Sequence, residues 1–326
     1  MIKNKKAIKE EARFQYEIWS HELLKIYGKK EKAFEAVKKI NLRVEPGIHG
    51  FLGPNGAGKT TTMNMLVGAL AITSGDAKIR NEKAGTVEAR RLIGFLPQDP
   101  VFYKNMTGEE YLIYMGKLGG LKKMEARKRA QELCNYFEIF DDRTRPIGEY
   151  SGGMKQKIGI AMALIHKPKL LILDEPTANL DPIGRSNIIE KIKEISKTVS
   201  VFVSSHILSE IEQMCDKVTM INQGVIVISD TIKNIKKQYI GNTYQLDTNK
   251  NKEILKSLER KDYVQKTWLK EEDETLQVIP KDADKLQQEI PKVILEHNAI
   301  LYSFHIPEIS LQDIFMEVYA VKGDKK

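Results

Sequence analysis

Residues 53 to 61 read GPNGAGKTT. Three glycines, one alanine, one lysine and two threonines occupy a stretch where most chains carry larger side chains. A strand (IHGFLG, 48–53) precedes it and a helix (TTMNMLVGAL, 61–70) follows, with Met63, Leu66, Val67 and Leu70 on one face. The pattern Gly53-x-x-x-x-Gly58-Lys59-Thr60 between a strand and a helix is the phosphate-binding loop. Backbone N–H groups reach an anion only where side chains are absent, and glycine also admits positive φ. The helix N-terminus adds partial positive charge, Lys59 a point charge for the β/γ-phosphates, and Thr60 a hydroxyl for Mg²⁺. A nucleoside triphosphate is the expected ligand, held across Gly53, Pro54, Asn55, Gly56, Ala57, Gly58, Lys59, Thr60 and Thr61.

Such a loop constrains the rest to an α/β sheet, and the remaining pattern agrees. LLILDEP (170–176) is a short, wholly apolar run of the kind that forms a central parallel strand, and VSVFVSSH (199–206) is a second. INLRV (40–44) alternates, Pro46 and Gly47 mark a turn, and LIGFLPQ (92–98) is another short strand. Thr107 and Glu110 in TGEE predict a capping box that opens a helix through YLIYMGKL, within a mainly helical insert over about 100–164. Asp181 and Pro182 suit the N-cap and first turn of a further helix. From about 239 the order reads strand, helix, strand, strand, helix, strand (TYQLDT to ILYSFHI) and a last helix, SLQDIFMEVYAV (310–321). That β-α-β-β-α-β order predicts a small, ferredoxin-like α+β unit.

The chain's 326 residues carry a formal net charge of +8. Lysines alternate with glutamates in KKEKAFEAVKK (29–39), LKKMEARKRA and EKIKEISK, read as solvated helix faces; no basic-aromatic pattern points to nucleic acid. No apolar run approaches the ~18 residues of a membrane helix, and the basic start MIKNKKAIKEEARF lacks the apolar core of a signal peptide. Cys134 and Cys215 are distant and read as free thiols in a reducing compartment.

Two further stretches carry chemistry. Asp174, delivered at the end of an apolar strand, can hold Mg²⁺, and the adjacent Glu175 can polarise an attacking water. YSGGMKQKIGIAMAL (150–164) places Ser151, Gly152 and Gly153 ahead of a helix, a second anion site for which one chain has no second phosphate.

Taken in order, these motifs resemble the ATP-binding subunits of ABC transporters from about Ile18 to Ile235. The resemblance implies that Gln98 in FLPQDP contacts Mg²⁺ and water, and that Ser151-Gly152-Gly153 meet the γ-phosphate across a dimer. It further implies that Asp181 in ANLD lies at that interface, that His206 in SSHIL is the switch histidine, and that Tyr27 in KIYG stacks on adenine. Tyr150 and Met154 stand where leucine and glutamine are usual, and Ala178 where serine is, without touching the phosphate chemistry.

The expected fold is therefore an ABC-type P-loop NTPase core with a helical signature subdomain. Its parts are a basic extension (1–17), the ATP-binding domain (18–238) and the α+β domain (239–326). The implied activity is Mg²⁺-dependent ATP hydrolysis by a homodimer or a heterodimer with a similar chain. Glu175, His206 and Lys59 are catalytic, and Thr60, Gln98 and Asp174 surround the metal. The partner is a separate polytopic permease, which would hold the chain peripherally on the cytoplasmic face of the membrane, and EISLQDIFMEVY resembles the tail of drug, antibiotic or sodium exporters. A soluble relative acting on ribosomes or nucleic acid is the competing reading. Ribosomal members usually carry two cassettes, and chromosome-type ones a long coiled-coil insert; one cassette and an insert of about sixty residues fit neither.

Overall fold

The computed structural model describes residues 16–29, 33–239, 243–270, 273–306, 310–312 and 314–315. The basic extension lies outside these residues except for Tyr16 and Glu17, and so does most of the last predicted helix, 310–321.

Strand β1 (Ile18–Tyr27) pairs antiparallel with β2 (Phe34–Ile40) and with the two-residue β3 (Arg43–Val44). Here the structure corrects the sequence reading twice. Residues 34–40, read as part of a solvated helix face, are a strand. Buried Val37 and Ile40 stand three apart, a helical spacing, because a register shift and a left-handed Lys39 (φ 51°) interrupt the period of two. INLRV is not one strand either: Asn41 leaves the ladder and its side-chain oxygen accepts the Glu22 N–H at 3.0 Å. The next strand, β4 (Ile48–Leu52), is buried along its whole length and runs into the glycine loop.

Helix α1 (Lys59–Val67) follows that loop and stops at Gly68 (φ 77°), so Leu70 lies beyond it rather than on its face. Leu70 still packs on the same core. Strands β5 (Ser74–Ile79) and β6 (Glu82–Lys83) extend the antiparallel sheet to the order β2-β1-β5-β6. Helix α2 (Val87–Leu92) leads into β7 (Ile93–Leu96). The helical insert then comprises α3 (Gly108–Leu118), α4 (Lys123–Tyr136), a single 3₁₀ turn at Ile147–Glu149 and α5 (Gly152–Leu164). Its first helix opens with the predicted capping box: Glu110 N–H donates to Thr107 Oγ1 (3.2 Å) and Thr107 N–H to Glu110 Oε2 (2.9 Å).

The chain returns through β8 (Leu170–Asp174), α6 (Pro182–Ser196), β9 (Ser200–Ser205), α7 (Leu208–Met214), β10 (Lys217–Asn222) and β11 (Val225–Thr231). The second sheet has the order β11-β10-β4-β9-β8-β7, parallel except for its β11 edge. Helix α1 bridges the two sheets. Its Met63, Met65 and Leu66 are buried in one cluster with Ile18, Leu23 and Ile79 of the antiparallel sheet and Phe51, Ile172 and Phe202 of the parallel one. Each such side chain contributes ~1.5–3 kcal/mol of burial, which fixes the helix that carries Lys59 and Thr60.

The described residues form two compact units that divide between Ile232 and Lys233. Helix α8 (Ile232–Tyr239) starts at that division. The second unit contains β12 (Tyr244–Thr248), α9 (Asn251–Leu258), β13 (Val264–Leu269), β14 (Leu276–Pro280), α10 (Ala283–Glu296) and β15 (Leu301–His305). All its strand pairs are antiparallel in the order β13-β14-β12-β15, and its elements follow one another as β-α-β-β-α-β. Leu246, Leu276 and Val278 of the sheet pack with Ile254, Leu258, Leu286, Ile290 and Val293 of its two helices.

One buried group makes the core sensitive to acid. His49 of β4 is 3% exposed; its Nε2 lies 2.8 Å from Thr219 Oγ1 and its Nδ1 has no hydrogen-bond partner among the described residues. Burial, with help from the Lys217 ammonium, pushes its pKa down to about 4, against an opposing pull from Glu45. Between pH 6.5 and about 4 the unfolded chain takes up a proton that the folded chain refuses. The contribution is therefore complete above pH 6.5 and falls away as pH drops, by up to about 3 kcal/mol at pH 4. In urea titrations across this range, His49→Gln should show a flatter acid limb than the unmodified protein.

Candidate functional site

The glycine loop is shaped by close approaches. At Gly53 a Cβ would meet the Ile221 carbonyl oxygen at 2.3 Å, and at Gly58 (φ 106°) the Ala36 oxygen at 2.7 Å. Gly56 (φ 79°) has open space around it and is required by its backbone conformation alone. Lys59, 5% exposed, folds back over this loop, its Nζ donating to the carbonyls of Gly53 (2.7 Å) and Pro54 (3.3 Å). The same nitrogen lies 3.2 Å from Glu175 Oε1.

Glu175 is the hub. Its Oε2 is 3.1 Å from His206 Nδ1 and, at the long limit of a hydrogen bond, 3.5 Å from Gln98 Nε2. Its backbone is left-handed (φ 50°), a conformation that costs a non-glycine residue about 1 kcal/mol and is found at functional turns. That turn is held by Ser204 of β9, whose Oγ accepts the Glu175 N–H (2.9 Å) and donates to Asp174 Oδ1 (2.6 Å). One buried hydroxyl thus orients both acidic residues.

Asp174 is fully buried. Burial raises its pKa, opposed by the hydroxyls of Ser204 and Thr60, while the Glu175 charge adds to the rise and Lys59 resists it. Its second oxygen, Oδ2, is buried without a hydrogen-bond partner among the described residues. An orphaned carboxylate oxygen beside a threonine hydroxyl and a phosphate loop fits Mg²⁺. Among the described residues no cluster of three or more His, Cys, Asp or Glu could hold a metal alone. Mg²⁺ rarely needs one, since it keeps waters and substrate phosphates as ligands.

The loop, the hub and two aromatics line one cavity of about 400 Å³: Tyr27, Phe34, Asn55, Gly56, Gly58, Lys59, Thr60, Thr61, Gln98 and Glu175. Tyr27 and Phe34 are cross-strand partners, 40% and 62% exposed, so the edge of the cavity presents two rings rather than one. An adjoining cavity of about 360 Å³ is lined by Asn55, Gln98, Glu175, Asn179, Arg185 and His206, among others.

Ser151, Gly152, Gly153 and Asp181 line neither cavity. Ser151 caps α5, its Oγ accepting the Met154 N–H at 3.2 Å, and Gly152 and Gly153 form that helix's first turn. A Cβ at Gly152 would meet nothing nearer than the Asn179 oxygen at 3.9 Å, and at Gly153 nothing nearer than Leu180 Cδ2 at 4.0 Å. Asp181 caps α6 as its sequence position predicts, accepting the Gly184 N–H at 2.9 Å. Tyr150, the departure from leucine, is 3% exposed and donates its hydroxyl to the Asp142 carbonyl. It fits because residue 108 is glycine: a Cβ there would lie 2.3 Å from the Tyr150 hydroxyl oxygen.

Sequence reasoning missed Ser204 and Phe34. The paired hydroxyls of SSH closing an apolar strand could have pointed to Ser204. A lone aromatic in KAFEAV gave no comparable signal for Phe34.

A family model described as ABC transporter matches residues 37–178. The uncharacterized ABC transporter ATP-binding protein YxlF of Bacillus subtilis is 36% identical over 294 residues, 87% of this chain and 94% of that protein. The bacitracin transport ATP-binding protein BcrA of Bacillus licheniformis is 40% identical over 222 residues, 67% of this chain and 70% of that one. In fold, the chain is similar to a dimeric, post-hydrolysis structure of the ATP-binding cassette MJ0796 bound to ADP and Pi. That likeness has a TM-score of 0.61 at 24% identity, over 66% of this chain and 98% of that one.

Proposed function

The chain belongs to the family of ABC transporter ATP-binding subunits, and on that premise we propose that it works as a dimer around two Mg·ATP, driving export through a separate membrane subunit. The observation that carries this is the contrast between two sets of glycines. Gly53, Gly56 and Gly58 are demanded by this chain's own packing and backbone, whereas Gly152 and Gly153 have room for a Cβ and lack the positive φ that favours glycine. Bare amides at a helix N-terminus that the chain itself does not need are suited to an anion brought by another molecule. The second anion is the ATP on the partner's phosphate loop.

In this reading ATP lies along the 400 Å³ cavity, its base against Tyr27 and Phe34 and its phosphates over the amides of residues 54–58. Lys59 leaves Glu175 for the β/γ-phosphates, and Thr61 and Asn55 add polar contacts. Thr60, Gln98 and the Oδ2 of Asp174 would hold Mg²⁺, which would offset the charge that develops on the phosphates. Glu175 orients and deprotonates the attacking water, and His206, 3.1 Å from it, steadies the γ-phosphate. Ser151, Gly152 and Gly153 close on the partner's nucleotide, and the Asp181 loop packs at the same interface. Loss of the γ-phosphate removes the anion that joins the two halves.

No helix among the described residues is long and apolar enough to cross a membrane. A groove of about 430 Å³ between the helical insert and the sheet, lined by Val87, Arg90, Phe95, Met115, Leu118 and His166, supports docking of a permease segment. Transport follows the bacitracin transport relative and export the resemblance of EISLQDIFMEVY to exporter tails, and the chain then sits peripherally on the inner membrane face. Purification from detergent-solubilised membranes should recover it with a polytopic protein. Recovery with ribosomes or nucleic acid instead would overturn the transport reading.

A further inference from the structure

The loops that carry Glu175 and His206 are joined a second time, beneath the catalytic pair. Glu210 of α7 is 4% exposed, and its Oε2 accepts from two hydroxyls: Thr177 Oγ1 at 2.7 Å and Ser205 Oγ at 2.9 Å. Thr177 and Ser205 are each 2% exposed. Thr177 lies two residues after Glu175, in the turn closed by the Ala178 N–H to Glu175 carbonyl bond (3.1 Å). Ser205 precedes His206, and its Oγ also accepts the Ile207 N–H at 2.9 Å, so it braces the backbone on both sides of the histidine.

A buried carboxylate is costly unless its oxygens are paired, and Glu210 Oε1 has no hydrogen-bond partner among the described residues. Valine or leucine would fill a core position on a short helix at no such cost. The carboxylate earns its place only by what Oε2 does, which is to join two segments about thirty residues apart in sequence. Both carry residues that line the 360 Å³ cavity beside the water-activating carboxylate.

We infer that Glu210 is a positioning residue for ATP hydrolysis: through Thr177 and Ser205 it locks the Glu175 loop to the His206 loop, so that base and histidine move as one body. It touches neither substrate nor metal in this account. The phosphate loop and the aromatic edge, which set ATP affinity, lie outside the bridge. The inference rests on the ATP-hydrolysing reading above, and turnover by the unmodified protein, measured alongside, separates failure of that reading from failure of this proposal.

The test compares ATP turnover and affinity for a fluorescent ATP analogue in Glu210→Ala, Glu210→Gln, Thr177→Val and the double variant Glu210→Ala/Thr177→Val. Thr177→Val is nearly isosteric and keeps the experiment valid if Glu210→Ala does not fold. Both Glu210→Ala and Thr177→Val should lower kcat roughly tenfold with affinity unchanged within about twofold. Glu210→Gln, which keeps an acceptor oxygen and the volume, should restore most of the activity. The double variant should lose no more than either single, because both cut one bridge. A folded Thr177→Val with unchanged kcat, affinity that falls in step with kcat, or additive losses would overturn the proposal.

Discussion

Glu175→Gln will lower ATP turnover by about 10²–10⁴-fold while leaving the ATP-bound dimer intact and longer-lived. The amide fits the same space, and the backbone bond that holds the turn, from the Glu175 N–H to Ser204 Oγ at 2.9 Å, involves no side-chain atom of residue 175. What is lost is the anion. Glu175 now balances Lys59 at 3.2 Å and faces His206 at 3.1 Å, and once the γ-phosphate arrives the carboxylate also repels it. A glutamine removes that repulsion and the proton acceptor together, so binding survives and chemistry does not. Phosphate release measures the first effect. Light scattering after size exclusion measures the second: the variant should run at twice the chain mass with Mg·ATP and at one chain mass without nucleotide. Normal hydrolysis would remove Glu175 from the role of base, and a persistent monomer at saturating ATP would remove the shared site.

The parts of this site legible in the sequence are those whose partners are close along the chain. The phosphate loop needs only its own nine residues and two flanking elements, and LLILDE needs only a strand that ends in acid. The antiparallel sheet was harder to read because left-handed residues within its strands (Glu22, φ 46°; Lys39, φ 51°) break the alternation that marks a strand. Ser204 left only the weak signal of its paired hydroxyls and Glu210 none, for a different reason. Each bonds a residue 29 to 33 positions away, and nothing in the composition of either stretch says that the two segments become neighbours. Phe34 belongs to the same class, since its pairing with Tyr27 depends on the β1–β2 register.

The proposed shared site makes a second prediction that no single-chain site can imitate. Gly153→Asp should leave the fold and ATP binding untouched, because a Cβ there has its nearest contact among the described residues beyond its own helix backbone at 4.0 Å, on Leu180 Cδ2. A carboxylate at a helix N-terminus is, if anything, stabilising by ~0.3–1 kcal/mol. It would nevertheless face a partner's γ-phosphate, and turnover should fall ~10²-fold or more. Lys59→Ala fails for the opposite reason, by losing the cation on the phosphate loop itself. Mixed together, the two inactive proteins form some dimers in which one site combines an intact Lys59 loop with an intact Gly153 helix. Random pairing at equal concentrations makes half the dimers mixed, each with one good site of two, so about a quarter of the unmodified activity should return. Recovery should scale with the fraction of mixed dimers as the ratio is varied. If each chain built its whole site alone, no ratio would restore anything, because every chain in the mixture carries one defect.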